Sequence, residues 1–384
     1  MVQVLLDGLR ADPRFEVHHV DARVSDDMED IGSFRPQKFI RLFECILKAW
    51  WIRLRYGRMV LYYVPAPAKK SAIIRDWVVM VLCRPLFPEL ILHWHAYGLG
   101  EWAAEGRDWQ RKLTRFALWK ADLSIVLNDY NKRDAEVFAP KCIEVVPNGI
   151  ADLFPNYGAA LAPKRRDRAA ALKALSAETR NESRVADERT AKLEPVRLLF
   201  LAHLMESKGV FVAITATEMA NNELRRTGAP WRLELVLAGS FVSEAEKTRV
   251  QEAIEEANQS CGNEGPCVLL AGFLDSVQKK SALEKADCLV FPTFYENEAQ
   301  PLVLFEAMCA GLPVVTTSWR GIAEPLPQAY PLIVEPRSAP SLAAVLADLG
   351  GLVNSQCLRT KYECEYKMQL FAPRIADIFL SQVS

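Results

Sequence analysis

The sequence predicts an α/β protein of two domains, and three observations carry that prediction. At 384 residues, half of them hydrophobic, the chain exceeds one typical domain and has apolar material for two cores. The stretch 287–317 reads as a buried strand, a polar loop, a helix and a second strand, which is one βαβ unit of a parallel sheet. The composition breaks at Asn148-Gly149, after which residues 155–194 are rich in Arg, Ala, Lys and Glu.

Within the βαβ unit, Cys288 to Phe291 is the first strand. Pro301 suits the first turn of the helix, where backbone donors are unpaired anyway; Gly311 stops that helix and Pro313 bars its continuation. Leu302, Phe305 and Cys309 fall on one apolar stripe, and Glu306 among them is a carboxylate in need of a partner. Glu298 stands in the preceding loop, with seven residues between the two acids. Both lie near the carboxyl end of a parallel strand and beside a helix N-terminus, where exposed N–H groups favour phosphate. This suits a nucleotide-sugar: amides for the diphosphate, one carboxylate for sugar hydroxyls, one for the ribose diol. The plain alternative is an ordinary βαβ unit with a solvated Glu298 and a satisfied Glu306.

The run EAQPLVLFEAMCAGLPVV resembles the E-x(7)-E signature of the retaining family 4 glycosyltransferases, as found in bacterial polysaccharide synthesis, where a glutamate-led loop is followed by EAM-x-x-G-x-PVV. The resemblance implies the GT-B fold, two Rossmann-like domains facing across a cleft, with this unit in the C-terminal, donor-binding domain. It places donor contacts at Ala299, Gln300, Leu302 and Val303, Glu298 on the sugar as a catalytic residue, and Glu306 on the ribose. There is one local departure. Many relatives have glycines where this chain has Gln300 and Pro301, so the Pro301 nitrogen has no hydrogen to give and Gln300 is expected to contact the sugar instead.

Taken in order, the chain opens with an amphipathic helix bearing Val4, Leu5 and Leu9 on one side, then a strand around residues 15–20. The resembled family begins instead with a strand and a Gly-Gly loop, so the expectation is a true start upstream of Met1. Residues 35–58 set Arg35, Lys38, Arg41, Lys48, Arg53, Arg55 and Arg58 beside Phe39, Phe43, Trp50, Trp51 and Tyr56, against one acid, Glu44. That pattern suits a helix lying on anionic lipid, with a core-facing helix and a solvated basic face as the alternative. The expected partner is therefore a membrane surface, met peripherally. After a strand at residues 59–64, PELILHWHAYGLGEW places a strand at 90–94 before His95 and a Gly98-x-Gly100 turn. His93 and His95 share a face but have no acidic ligand beside them, which argues against a metal pair. The segment resembles the family's strand ending in His-Gly, whose histidine lies near the acceptor and the reacting sugar; by that match His95 is a catalytic candidate.

A strand at 123–127 and the VPNG run at 146–149 complete a domain over 1–150, and residues 151–195 are expected to be a solvated helical or disordered insert without chemistry. The second domain, 196–361, opens with VRLLFLAHLMESKGVFVAI. There Lys208-Gly209 resembles the family's diphosphate-gripping lysine, while His203 stands where many relatives have arginine. Strands at 233–238 and 268–271 end in Gly239 and in Gly272-Phe273, which resemble the units flanking the nucleotide base. Gly321-Ile322-Ala323-Glu324 matches the family as well, and residues 362–384 read as an aromatic-rich helix that in relatives crosses back to the N-terminal domain.

The net charge of −1 and an isoelectric point near 6.6 argue against a general nucleic-acid binder. The nine cysteines, Cys45, Cys83, Cys288 and Cys309 among them, lie mostly in apolar segments without a C-x-x-C pair, and read as thiols of a reducing cytoplasm. Cys261 and Cys267 share one loop and are the pair that oxidation could join. The sequence shows no signal peptide and no apolar run long enough to span a bilayer. No D-x-D motif occurs, so neither a metal nor another cofactor is expected, and Lys208 with helix amides would meet the diphosphate charge. The expected function is a retaining glycosyltransferase of hexosyltransferase type, moving a sugar from a nucleotide-sugar to a saccharide or lipid-linked acceptor. The alternatives are a catalytically inactive glycosyltransferase-like subunit and a sugar-nucleotide epimerase.

Overall fold

The computed structural model describes residues 1–21, 36–180, 195–261, 265–348 and 355–382. It divides into two compact units: Met1–Gly149 with Glu296–Gln300 and Met368–Ser384, and Ile150–Tyr295 with Pro301–Lys367.

The first unit holds helices α1 (Val2–Ala11), α2 (Pro36–Tyr56), α3 (Lys70–Cys83), α4 (Leu99–Glu105), α5 (Asp108–Leu118) and α6 (Lys132–Glu136) around strands β1 (Val60–Tyr63), β2 (Glu89–His93), β3 (Leu123–Val126) and β4 (Ile143–Val145). The strands pair in that order, all parallel. Because alternate side chains leave opposite faces of a strand, Leu90, Leu92 and Trp94 pack on α3 and α5 while Ile91, Leu123 and Ile125 pack on α1. Both faces are covered, which is why β2 reads as a continuous apolar run. Residues 15–20, expected as a strand, are not one: the segment has no ladder partner among the described residues, and Phe15 and Val17 pack beside α1.

In the second unit α7 (Tyr157–Ala160) and α8 (Ala162–Arg180) precede β5 (Val196–Leu201), α9 (Val210–Arg226), β6 (Leu233–Ala238), α10 (Glu244–Ser260), β7 (Val268–Gly272) and α11 (Ser276–Lys285). Then come β8 (Cys288–Phe291), α12 (Leu302–Cys309), β9 (Val314–Thr317), β10 (Ile333–Val334), α13 (Ala339–Ala347) and α14 (Ser355–Lys361). The sheet is parallel, in the order β10-β9-β8-β5-β6-β7.

Two expectations are corrected here. The charged insert is not merely solvated, because Leu161 and Leu172 enter the core and the buried Arg165 guanidinium donates to the carbonyls of Leu283, Ala286 and Ala310. Those carbonyls end α11 and α12, where helices lack internal donors, so a cation from α8 caps both. Residues 181–194 of that stretch lie outside the described residues. The tail is also not one helix. A π-turn over Tyr362–Tyr366, whose Tyr366 ring stacks on Phe305 at 4.3 Å, belongs to the second unit. Lys367 is then extended, and α15 (Met368–Gln382) packs Phe371 and Ile375 against Leu5 and Leu9 in the first unit.

Candidate active site

In the second sheet β5 pairs β6 on one side and β8 on the other, so the strand order reverses between β5 and β8. Connections leave such a pair in opposite directions, which opens a crevice at the carboxyl ends. The two loops meet there. The Phe294 N–H donates to the Ser207 carbonyl at 2.9 Å, and the Thr293 hydroxyl donates to the same oxygen at 3.4 Å. The first loop ends in a 3-10 turn, Glu206–Lys208, followed by Gly209 at φ +85°. An added Cβ there would lie 2.2 Å from the Pro292 carbonyl oxygen, so the position demands glycine for both its backbone and its neighbour. Gly209→Ala is expected to lower the stability of the full chain by about 1–3 kcal/mol, read from the urea-unfolding midpoint; an unchanged midpoint would mean the crevice loops yield freely.

Lys208 is half-buried, its Nζ 4.8 Å from the Tyr295 ring centroid and 5.8 Å from that of Phe291, so aromatic faces hold the ammonium. The second loop leads into α12, which starts after Pro301 without a side-chain cap, leaving the amides of Leu302 and Val303 at its N-terminus. Leu304, Phe305, Ala307, Met308 and Cys309 are buried, whereas Leu302, expected on the apolar stripe, is exposed at the first position of the helix. Glu306 does have its partner: Lys279 of α11 donates to its Oε1 at 2.5 Å. His203 is exposed after β5, and Phe273 is exposed just beyond Gly272 at the end of β7.

Glu298, Ala299 and Gln300 group with the first unit. Ala299 is buried against Tyr97 and Leu127, and its carbonyl accepts from Asn128 Nδ2 at 2.9 Å. Gln300 donates to the Leu127 carbonyl at 3.0 Å and accepts from the Asn148 N–H at 2.7 Å. Its amide thus meets the backbone at both ends and anchors the loop that carries the half-buried Glu298. The segment after β2 lies against the same loop, since the Tyr97 N–H donates to the Asn297 carbonyl at 3.5 Å. Two residues before Tyr97, His95 packs its ring on that of His93 with centroids 4.1 Å apart. Burial pushes His95 down to about 4, which keeps it neutral at pH 7. Burial also holds the fully buried His93 well below the usual imidazole range, and its Nδ1 meets the Tyr62 hydroxyl at 2.6 Å.

The structure therefore brings Lys208, Gly209 and the Pro292–Tyr295 loop together, and separately seats Glu298 beside the His95 segment. Sequence reasoning missed Lys279, Tyr295 and Asn128. Tyr295 had a signal, standing three residues before Glu298; Lys279, 27 residues before Glu306, had none.

Residues 195–350 match the family model described as "Glycosyl transferases group 1". The amylovoran biosynthesis glycosyltransferase AmsK of Erwinia amylovora is 29% identical over 202 residues, covering 50% of this chain and 46% of that protein. The chain thus spans less than half the length of that relative. Among solved structures, sucrose-phosphate synthase from Thermosynechococcus elongatus aligns with a TM-score of 0.65 at 19% identity, over 99% of this chain and 92% of that one. Anabaena Alr3699/HepE in complex with UDP aligns with a TM-score of 0.62 at 14% identity, over 88% and 82%, and is also solved with UDP-glucose. At these identities the structural likeness shows the fold alone.

Proposed function

From a chain of GT-B fold whose residues 195–350 match the family model of the group 1 glycosyl transferases, we propose a retaining hexosyltransferase that uses a nucleotide-sugar donor. Its acceptor is a saccharide or a lipid-linked saccharide in polysaccharide or glycolipid synthesis, reached at the inner face of a membrane. The observation that carries the reading is Lys208, a cation held on Tyr295 at the switch between β5 and β8, in a crevice whose second loop runs into the N-terminus of α12. The printed name of AmsK and the UDP and UDP-glucose complexes of HepE support the same class of chemistry.

In this reading Lys208 and the amides of Leu302 and Val303 receive the diphosphate as its bond to the anomeric carbon breaks. The acceptor oxygen bonds that carbon on the same face, and its proton goes to the departing phosphate. The charge is met by side chain and backbone, so the step calls on no metal or other cofactor. Glu298 orients the sugar, and the neutral His95 hydrogen-bonds it without bringing charge. Gly272 and Phe273 offer the base a surface, and His203 lies at the rim. Glu306, with Lys279 on Oε1, presents Oε2 to the ribose.

Because the ribose is unchanged during transfer, Glu306→Ala is expected to weaken donor binding by about 1–3 kcal/mol with a smaller effect on turnover at saturation. Calorimetric titration of the full chain with UDP-, GDP- and dTDP-sugars tests this. Absence of binding across the panel, or a Glu306→Ala variant as tight as the parent, would sink the assignment.

A further inference from the structure

Helix α2 has two apolar faces, and among the described residues only one of them is covered. Leu42, Ile46 and Ile52 are buried, and two side chains tie the helix down: Trp50 Nε1 donates to the Leu82 carbonyl at 3.0 Å, and Arg53 Nε to the Leu86 carbonyl at 2.6 Å. On the other side Ile40, Phe43, Leu47, Trp51 and Leu54, at steps of three and four residues, are between 52% and 81% exposed. A helix on the surface of a globular domain ordinarily turns charged and polar residues to that side. The stripe runs for about 21 Å along the helix. The neighbouring helices repeat the feature: α3, packed on α2, exposes Ile74 and Val81, and α5, packed on α3, exposes Trp109 and Phe116, each pair seven residues apart. The tryptophan pair read from the sequence therefore splits, Trp50 inward and Trp51 outward.

The charge around this apolar surface is one-sided. Residues 35–120 hold sixteen Lys and Arg against six Asp and Glu, in a chain whose net charge is −1. Arg41, Lys48 and Arg55 are exposed on α2 itself, and Lys112 and Arg115 on α5. Arg35 and the side chains of Lys38 and Phe39 lie outside the described residues. A second copy of the chain would bring two strongly cationic faces together, which opposes a self-interface. Long cationic stems that lie along apolar surface and carry their charge to its edge fit a headgroup layer, with tryptophan at the boundary.

We propose that the α2–α3–α5 face is a docking surface for an anionic lipid bilayer, with α2 lying in the interface and Phe43, Leu47, Trp51 and Leu54 inserted below the headgroups. Among the described residues no helix is long and apolar enough to cross a membrane. This deepens the membrane placement proposed above and does not depend on the transfer chemistry.

The test is co-sedimentation of the full chain with phosphatidylcholine vesicles made with and without phosphatidylglycerol, with nucleotide-sugar titration of the same samples. Binding should require phosphatidylglycerol and weaken with salt. The triple variant Leu47→Ser, Trp51→Ser, Leu54→Ser should partition at least about tenfold more weakly, and reversing Arg41, Lys48 and Arg55 to Glu should cost roughly a hundredfold. Both should keep the parent's donor affinity. A parent left in the supernatant with phosphatidylglycerol, a serine variant that binds like the parent, or a dimer that only the serine variant dissolves would each overturn the proposal. Since donor titration reads the crevice separately, lost vesicle binding with intact donor binding leaves the transferase reading standing.

Discussion

Replacing Lys208 with alanine is expected to lower turnover by roughly 100- to 1,000-fold while donor affinity changes by less than about tenfold. The reason is where the charge appears. On the proposed transfer the ground-state diphosphate would be shared with solvent and helix amides, whereas in the transition state the departing oxygen would gain charge that a nearby ammonium meets directly. The Tyr295 and Phe291 rings hold the Lys208 ammonium in place beforehand, so little reorganisation is left for the reaction itself. Tyr295→Ala, which removes the platform and keeps the charge, should lose less than Lys208→Ala. Initial rates against donor concentration, beside calorimetric affinity, separate the two effects. If Lys208→Ala weakened binding strongly at unchanged turnover, its role would be ground-state attraction instead.

The largest loss of stability is expected at a residue away from the crevice. Arg359 is 2% exposed and grips Asp152 twice, at 2.9 and 2.6 Å, along with the Cys309 carbonyl at 2.8 Å and the Glu363 carboxylate at 2.8 Å. Asp152 follows the chain's entry into the second unit and Glu363 precedes its exit. Arg359 thus ties both ends of that unit together, beside the Ile150 N–H that donates to the Tyr366 carbonyl at 2.8 Å. Arg359→Met leaves these acids without their cation, and breaking such a pair costs about 3–5 kcal/mol. Burial pushes the Asp152 carboxyl up, but the guanidinium and the Phe154 N–H outweigh it and hold the group below the usual carboxylate range. A depressed folded pKa stabilises above the unfolded value, about 3.9, and that stabilisation is lost as pH falls through the folded one. The gap in urea midpoint between parent and variant should therefore be full at pH 7 and shrink below about pH 4. A gap that did not change with pH would remove the Asp152 pairing as its cause.

Much of what places these groups was legible along the chain because it depends on neighbours in sequence. The apolar run Val196–Leu201, the stop at Gly311 and the glycine after Lys208 each follow from local backbone chemistry, and each stands in the structure as read. The need of Glu306 for a partner was legible too, as the cost of a carboxylate amid buried side chains. Its identity, Lys279, was not, because nothing in local periodicity ties α11 to α12.

Gln300 shows the same limit from the other side. Its place in the loop before α12 was legible, but its partners, the Leu127 carbonyl and the Asn148 N–H, were not, since both lie more than 150 residues away in the chain. Residues 15–20 had strand-like sequence but, among the described residues, no strand alongside to complete the ladder, and Arg165 sat in a run of charge that read as solvated until three helix-end carbonyls closed on it. The sequence by itself determined the α/β class and the elements around the crevice, since hydrophobic period and turn chemistry act over a few residues. Only the tertiary structure decided which polar groups are already satisfied and which face of α2 the described residues leave uncovered, because hydrogen-bond partners and burial are set by segments that meet in space from far apart in the chain.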